Sequence, residues 1–150
     1  SFNQKCLFAC LVIFVNLTYT TQMKFEKNYI RTQLMQLGCT DEESPITFTG
    51  RYKYTESKDY ITLTTIRIYK RDMGKQKTIC DHINLKKSSI PHCINFNSSV
   101  HNRKVYFVGQ VILYEHYGYL RAGIQLVDNP NEIIMWFANS QLKFNKSKYQ

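Results

Sequence analysis

ITFTGRYKY, running from Ile46 to Tyr54, decides the reading of the chain. Ile46, Phe48, Tyr52 and Tyr54 share one parity, and Thr47, Thr49, Arg51 and Lys53 the other. That period of two is the pattern of an antiparallel strand with one buried face. Downstream, TESKD turns the chain into YITLTTIRIYK, where Ile61 and Leu63 lie on one parity and Ile66 and Ile68 on the other. A bulge near Thr64-Thr65 is the simplest way to keep all four inward. RDMGKQ is the next turn, KTICDHI a short strand, and LKKSSIPHCINFNSSVHN a polar loop.

The second half repeats the pattern with more apolar surface. KVYFVGQVILY, from Lys104 to Tyr114, is apolar on both parities, as expected of a central strand covered on both sides. YLRAGIQLV alternates with Leu120, Ala122, Ile124 and Leu126 inward, and IIMWFANSQLKF aligns Ile134, Trp136, Ala138, Leu142 and Phe144. Near the start, KFEKNYIRTQLMQL has spacings that fit a short helix about as well as a strand; Tyr29 to Leu37 is read as a strand. About seven short strands without a convincing long helix predict an all-β fold, an antiparallel immunoglobulin-like β-sandwich, as a single domain over residues 21–150. An internal echo joins Phe48, Gly50, Glu56 and Tyr60 to Phe107, Gly109, Glu115 and Tyr119, which suggests two similar hairpins.

Composition agrees with a folded domain. The chain has 150 residues, 43% hydrophobic, with only 6 Gly and 3 Pro, which excludes a disordered tail and a collagen-like repeat. Lys5 followed by CLFACLVIFV and then NLTYTTQ has the layout of a secretory leader, with cleavage expected after Thr20 so that residues 1–20 are removed. The missing initiating Met suggests truncation at the 5′ end. The apolar run is too short to span a bilayer, and no spanning run follows, so no stable membrane span is expected. The expected setting is extracellular, with the lysosomal lumen as the variant.

Cys6 and Cys10 leave with the leader, so Cys39, Cys80 and Cys93 remain, an odd number for an oxidising compartment. A Cys80–Cys93 disulfide is expected, with Cys39 as the rival partner of either. Closing so short a loop would stabilise the fold by about 3 kcal/mol. Asn97-Ser98-Ser99 and Asn145-Lys146-Ser147 are N-glycosylation sequons.

The net charge of +9, or +8 without Lys5, favours acidic surfaces as partners. The basic residues are scattered as doublets at strand ends, with no continuous stripe or stacking motif, so nucleic acid is not an expected partner. Four histidines, His82, His92, His101 and His116, offer acid–base groups, but no nucleophile elbow, phosphate loop or paired helical metal ligands accompany them. Cys80, His82, His92 and Cys93 are the one metal-like constellation, and their spacing is not a standard zinc pattern. No metal, no cofactor and no enzymatic activity are expected.

Three stretches, PITFTGRYKY, YITLTTIRIYKRDMGKQKTIC and GYLRAGIQLVDNPNEIIMWF, resemble the ML lipid-recognition domain family in their order of strand, basic turn, cysteine and closing hairpin. Two departures accompany the likeness. Tyr29 and about Trp136 stand where that family commonly has paired cysteines, and Cys93 is followed by Ile94-Asn95 rather than Pro. The resemblance implies a non-catalytic carrier of a lipid, sterol or other hydrophobic ligand between two sheets. The inward residues Phe48, Tyr52, Leu63, Ile66, Phe107, Val111, Leu120, Ile124 and Trp136 would then line its cavity. The competing expectation is an adhesion, immune-type or effector sandwich with a solid core that binds an extracellular protein through its loops.

Overall fold

The computed structural model describes residues 29–39, 45–129 and 131–139. Within them, helix α1 (Tyr29–Cys39) precedes β1 (Ile46–Lys53), β2 (Tyr60–Ile68), β3 (Cys80–Lys86), β4 (Lys104–His116), β5 (Tyr119–Leu126) and β6 (Met135–Phe137). All six strands join one antiparallel sheet ordered β3-β2-β1-β4-β5, with β6 also paired to β4. The all-β antiparallel class is therefore as expected. The sandwich-like enclosure comes from curl: β3 and β5, at opposite ends of the strand order, come into contact, and α1 packs against β3, β4 and β5. Among the described residues the strands pair into this single sheet.

The expected bulge is present. Thr49 faces Arg67 and Arg51 faces Thr64, and Thr65 takes a positive φ of 55° between them. This shift keeps Leu63 and Ile66 both fully buried although their parities differ. β5 and β6 lie end to end along the same strand. β4 pairs Gly109 with Leu126 and Phe107 with Met135, while Val108 bonds to both Val127 and Ile134. β5 and β6 thus act as one partner of β4, interrupted between Val127 and Ile134.

Phe48 and Phe107 are register partners at the centre of the sheet, with ring centroids 5.5 Å apart. The echo in the sequence is centred on this pair, so the β1–β2 and β4–β5 hairpins extend outward from it in a pseudo-twofold arrangement. Gly50 and Gly109 serve the same purpose in the two halves. A Cβ at Gly50 would meet the Ile66 side chain at 2.9 Å, and one at Gly109 would meet Ile124 and the Gln125 carbonyl, each at 2.7 Å. Each glycine lets an isoleucine of the neighbouring strand cross the sheet surface.

The segment read as a strand from Tyr29 to Leu37 is instead α1. Leu34 and Met35 are buried, and Gly38 sits where a Cβ would come within 3.1 Å of Val111 and 3.2 Å of Leu113. Arg31, Leu34, Met35 and Gly38 recur at three and four residues, a helical stripe that a concave sheet accepts and a further strand could not fill. The loop after β3 also differs from its polar reading. Ile90, Ile94, Phe96 and Val100 pack on the core, and Phe96 meets Tyr52 at 4.8 Å and Phe137 at 5.3 Å.

Trp136 lies on the other face of the sheet from Phe107. It is paired with Tyr106 and stacks on that ring at 5.5 Å, and Tyr69 meets Tyr106 edge-on at 5.1 Å. This second aromatic layer explains why Thr47 and Thr49, on the parity expected to face water, are buried. The expected leader, Asn145, Leu142 and Phe144 lie outside the described residues, as do the side chains of Tyr29 and Cys39. Among the described residues no helix is long and apolar enough to cross a membrane.

Candidate functional site

The expected cavity residues mostly form a filled core. Phe48, Tyr52, Leu63, Ile66 and Phe107 are buried, and Val111 and Leu120 are half-buried against them. α1 occupies the concave face where a ligand between sheets would sit. Trp136 is separated from these residues by the sheet itself. Ile124 lines an open recess.

That recess is a cleft of about 600 Å³ over the seam between β3 and β5, within the roughly 300–1,000 Å³ usual for ligand sites. β3 contributes His82, Asn84 and Lys86, β4 contributes Ile112, Tyr114 and His116, and β5 contributes Arg121 and Gln125, with Tyr60 from the start of β2. Strand alternation explains the grouping: Ile112 pairs with Gly123 and Tyr114 with Arg121, all on the outer face. β4 is 13 residues long, and β1 pairs with it only as far as Gly109. Beyond that point Ile112 and Tyr114 are exposed, although the strand was expected to be covered on both sides.

Arg31 of α1 spans the seam. It donates from Nη1 to the Ala122 carbonyl at 3.1 Å and from Nη2 to the His82 carbonyl at 3.0 Å. Nη2 also lies 3.4 Å from His82 Nε2, while His82 Nδ1 is 3.1 Å from Asp81 Oδ2. Both ring contacts are satisfied when His82 carries its proton on Nδ1, donating to Asp81 and accepting from Arg31.

Burial on its own would raise the Asp81 carboxyl. Hydrogen bonds from the His82 ring and backbone, with the electrostatic pull of His82 and Arg31, outweigh it and hold the group below its ordinary value. A carboxylate depressed in the folded state stabilises the fold above its unfolded value, 3.8, and that contribution fades as pH falls through the lower folded value. Asp81→Asn is therefore expected to flatten the acid limb of a stability-against-pH curve below about pH 4. Because the carboxylate is 43% exposed, the loss at neutral pH should stay under about 1 kcal/mol. Thermal midpoints measured from pH 2 to 7 check both, and an unchanged acid limb would show that the pairing carries no stability.

The expected Cys80–Cys93 bridge is absent, since both cysteines are free. Cys80 is buried in β3, where its Sγ donates to the His82 carbonyl at 3.0 Å, whereas Cys93 is exposed on the following loop. The register of β3 against β2 sets Cys80 opposite Ile66 and places its side chain in the core, whereas Cys93 is on the surface. Burial pushes the Cys80 thiol above its ordinary value, against the opposing field of Arg31, which disfavours a reactive thiolate. Among the described residues no cluster of three His, Cys, Asp or Glu is placed to hold a metal, so Cys80, His82, His92 and Cys93 are not gathered into one. Asn97 is exposed at the start of a 3-10 turn, its side chain accepting from the Ser99 backbone N–H and hydroxyl.

The cleft residues were not legible as a group. Arg31, Tyr60, His82, Ile112, Tyr114 and Arg121 come from separate segments; the surplus apolar parity of KVYFVGQVILY marked Ile112 and Tyr114, and His82 stood out as an acid–base and metal-ligand candidate, but nothing in the sequence joined them. Comparison of the chain with protein-family models, with curated proteins and with solved structures finds no match.

Proposed function

We propose that the protein is a non-catalytic binding protein for an amphiphile with an anionic head, held in the cleft over the β3–β5 seam. One observation carries this reading. Tyr60, Ile112 and Tyr114, half of the exposed large hydrophobic side chains among the described residues, converge on a cleft that also holds Arg31, Lys86 and Arg121 and no carboxylate. Apolar surface gathered in a concavity favours a greasy tail, and three basic side chains in the same lining favour a negative head. The ligand class is that implied by the resemblance to lipid-recognition domains, with its place moved from the interior to the seam. An exported, glycosylated form modified at Asn97 is part of the same proposal.

cis-Parinaric acid, a fluorescent long-chain fatty acid, tests the reading. Saturable binding near one equivalent is expected, and a neutral long-chain alcohol should displace the probe poorly. Ile112→Asp should weaken binding about tenfold or more, since it removes apolar contact worth about 1.5 kcal/mol and sets a carboxylate beside the head. Tyr117→Ser, at a residue 87% exposed and outside the cleft, should change nothing. Absence of saturable binding, or equal binding by the Ile112 variant, would overturn the proposal.

A further inference from the structure

A second recess, of about 350 Å³, lies on the outer face of β1, β2 and the first half of β4, beneath the loop that leaves β2. We propose that it is a binding site for a small oxyanion, a phosphate or sulfate group either free or borne on an ester. The proposal is independent of the amphiphile cleft and shares no residue with it.

The sheet register assembles the site. Thr49 faces both Arg67 and Tyr106, and Arg51 faces both Thr64 and Lys104, so Arg51, Arg67 and Lys104 project from three adjacent strands on one face. The loop after β2 adds Lys70 and Lys75. Five cations thus line one small recess, and no carboxylate lines it among the described residues.

Three details favour an anion over a merely solvated basic patch. The Arg67 Nε is buried and has no hydrogen-bond partner among the described residues. A buried guanidinium N–H left without an acceptor costs free energy, and an oxyanion reached by a small shift of the Arg67 side chain would supply that acceptor. Arg51 is oriented by donation from Nη1 to the Asn102 carbonyl at 3.0 Å, and Lys104 Nζ rests 5.1 Å from the centre of the Tyr106 ring. These contacts hold two charges in place instead of leaving them to spread into solvent. Finally, the positive-φ bulge at Thr65 lies in the wall of the recess. Bulges are enriched where a strand must redirect a side chain toward a site. Arginine presents a planar fork to phosphate or sulfate oxygens and lysine a point charge, and the recess supplies both.

Calorimetric titration with sodium pyrophosphate at constant ionic strength tests the site, with orthophosphate, sulfate, phenyl phosphate and phenyl sulfate as parallel arms. Saturable one-to-one binding of pyrophosphate is expected. Tighter binding of the phenyl esters than of the free ions would identify an ester as the ligand, and the reverse order a free anion; either upholds the site. Arg67→Met should weaken binding at least tenfold, as expected for loss of a charge-assisted contact. Lys75→Met, on the exposed loop, should weaken it several-fold without shifting the melting temperature, and it decides the matter if the Arg67 variant does not fold. Lys58→Met, in the β1–β2 turn, should leave affinity unchanged. Absence of saturable heats in that titration, or equal weakening by the Lys58 variant, would overturn the proposal.

Discussion

Phe107→Ala should lower the free energy of unfolding by about 4 kcal/mol, enough to consume much of the stability of a domain this size. Phe107 is fully buried, stacks on Phe48 at the pseudo-twofold centre and pairs with Met135 of β6. Truncation therefore removes apolar contact and leaves a cavity that the flanking strands cannot fill, because their backbones are fixed by ladders on both edges of β4. Urea unfolding followed by the fluorescence of Trp136, the one tryptophan of the chain, measures the loss directly. The midpoint should drop with an unchanged slope, since a slope change would signal an altered unfolded state or a loss of two-state behaviour. A loss below about 1 kcal/mol would mean that the sheet centre is not packed as described.

Arg31→Met should cost about 3 kcal/mol, from two charge-assisted hydrogen bonds of about 1.5 kcal/mol each. It should also loosen the seam selectively. β3 and β5 are not paired with each other, and the guanidinium joins them by bonding one carbonyl on each. Methionine keeps the apolar stem while removing the fork, so the effect reports the bonds and not the packing of α1. Amide exchange should accelerate in β3 and β5 relative to β1, which is protected on both edges. Arg31→Lys should not restore protection, because one ammonium lacks the planar fork that reaches both strands. Uniform exchange across the sheet in the Met variant would remove Arg31 from its bridging position.

The strands were legible because their burial is local. Phe48 and Tyr52, or Ile124 and Leu126, reveal a buried face through a period of two, and the parity change between Leu63 and Ile66 located a bulge before any partner strand was known. The helix was not legible. Arg31, Leu34, Met35 and Gly38 fit a helical stripe, but nothing within the segment shows whether it meets a flat edge or a concave face. The same limit misplaced Trp136. Its apolar character demanded burial, and it is buried, yet which face covers it depends on its register opposite Tyr106.

Both recesses lie beyond sequence reading for a related reason. Their residues are ordinary within their own segments, outward positions on strands and basic turn tips, and they become a site only when distant segments are brought side by side. The amino-acid order by itself determined the antiparallel class, the strand positions and the absence of a spanning helix among the described residues, since each follows from near-neighbour spacing and hydropathy. Tertiary structure alone decided that the sheet curls over α1, that β3 and β5 meet, and that Arg67 gathers with four other cations. Those outcomes depend on curvature and register between strands many residues apart, and such long-range terms leave no periodic trace along the chain.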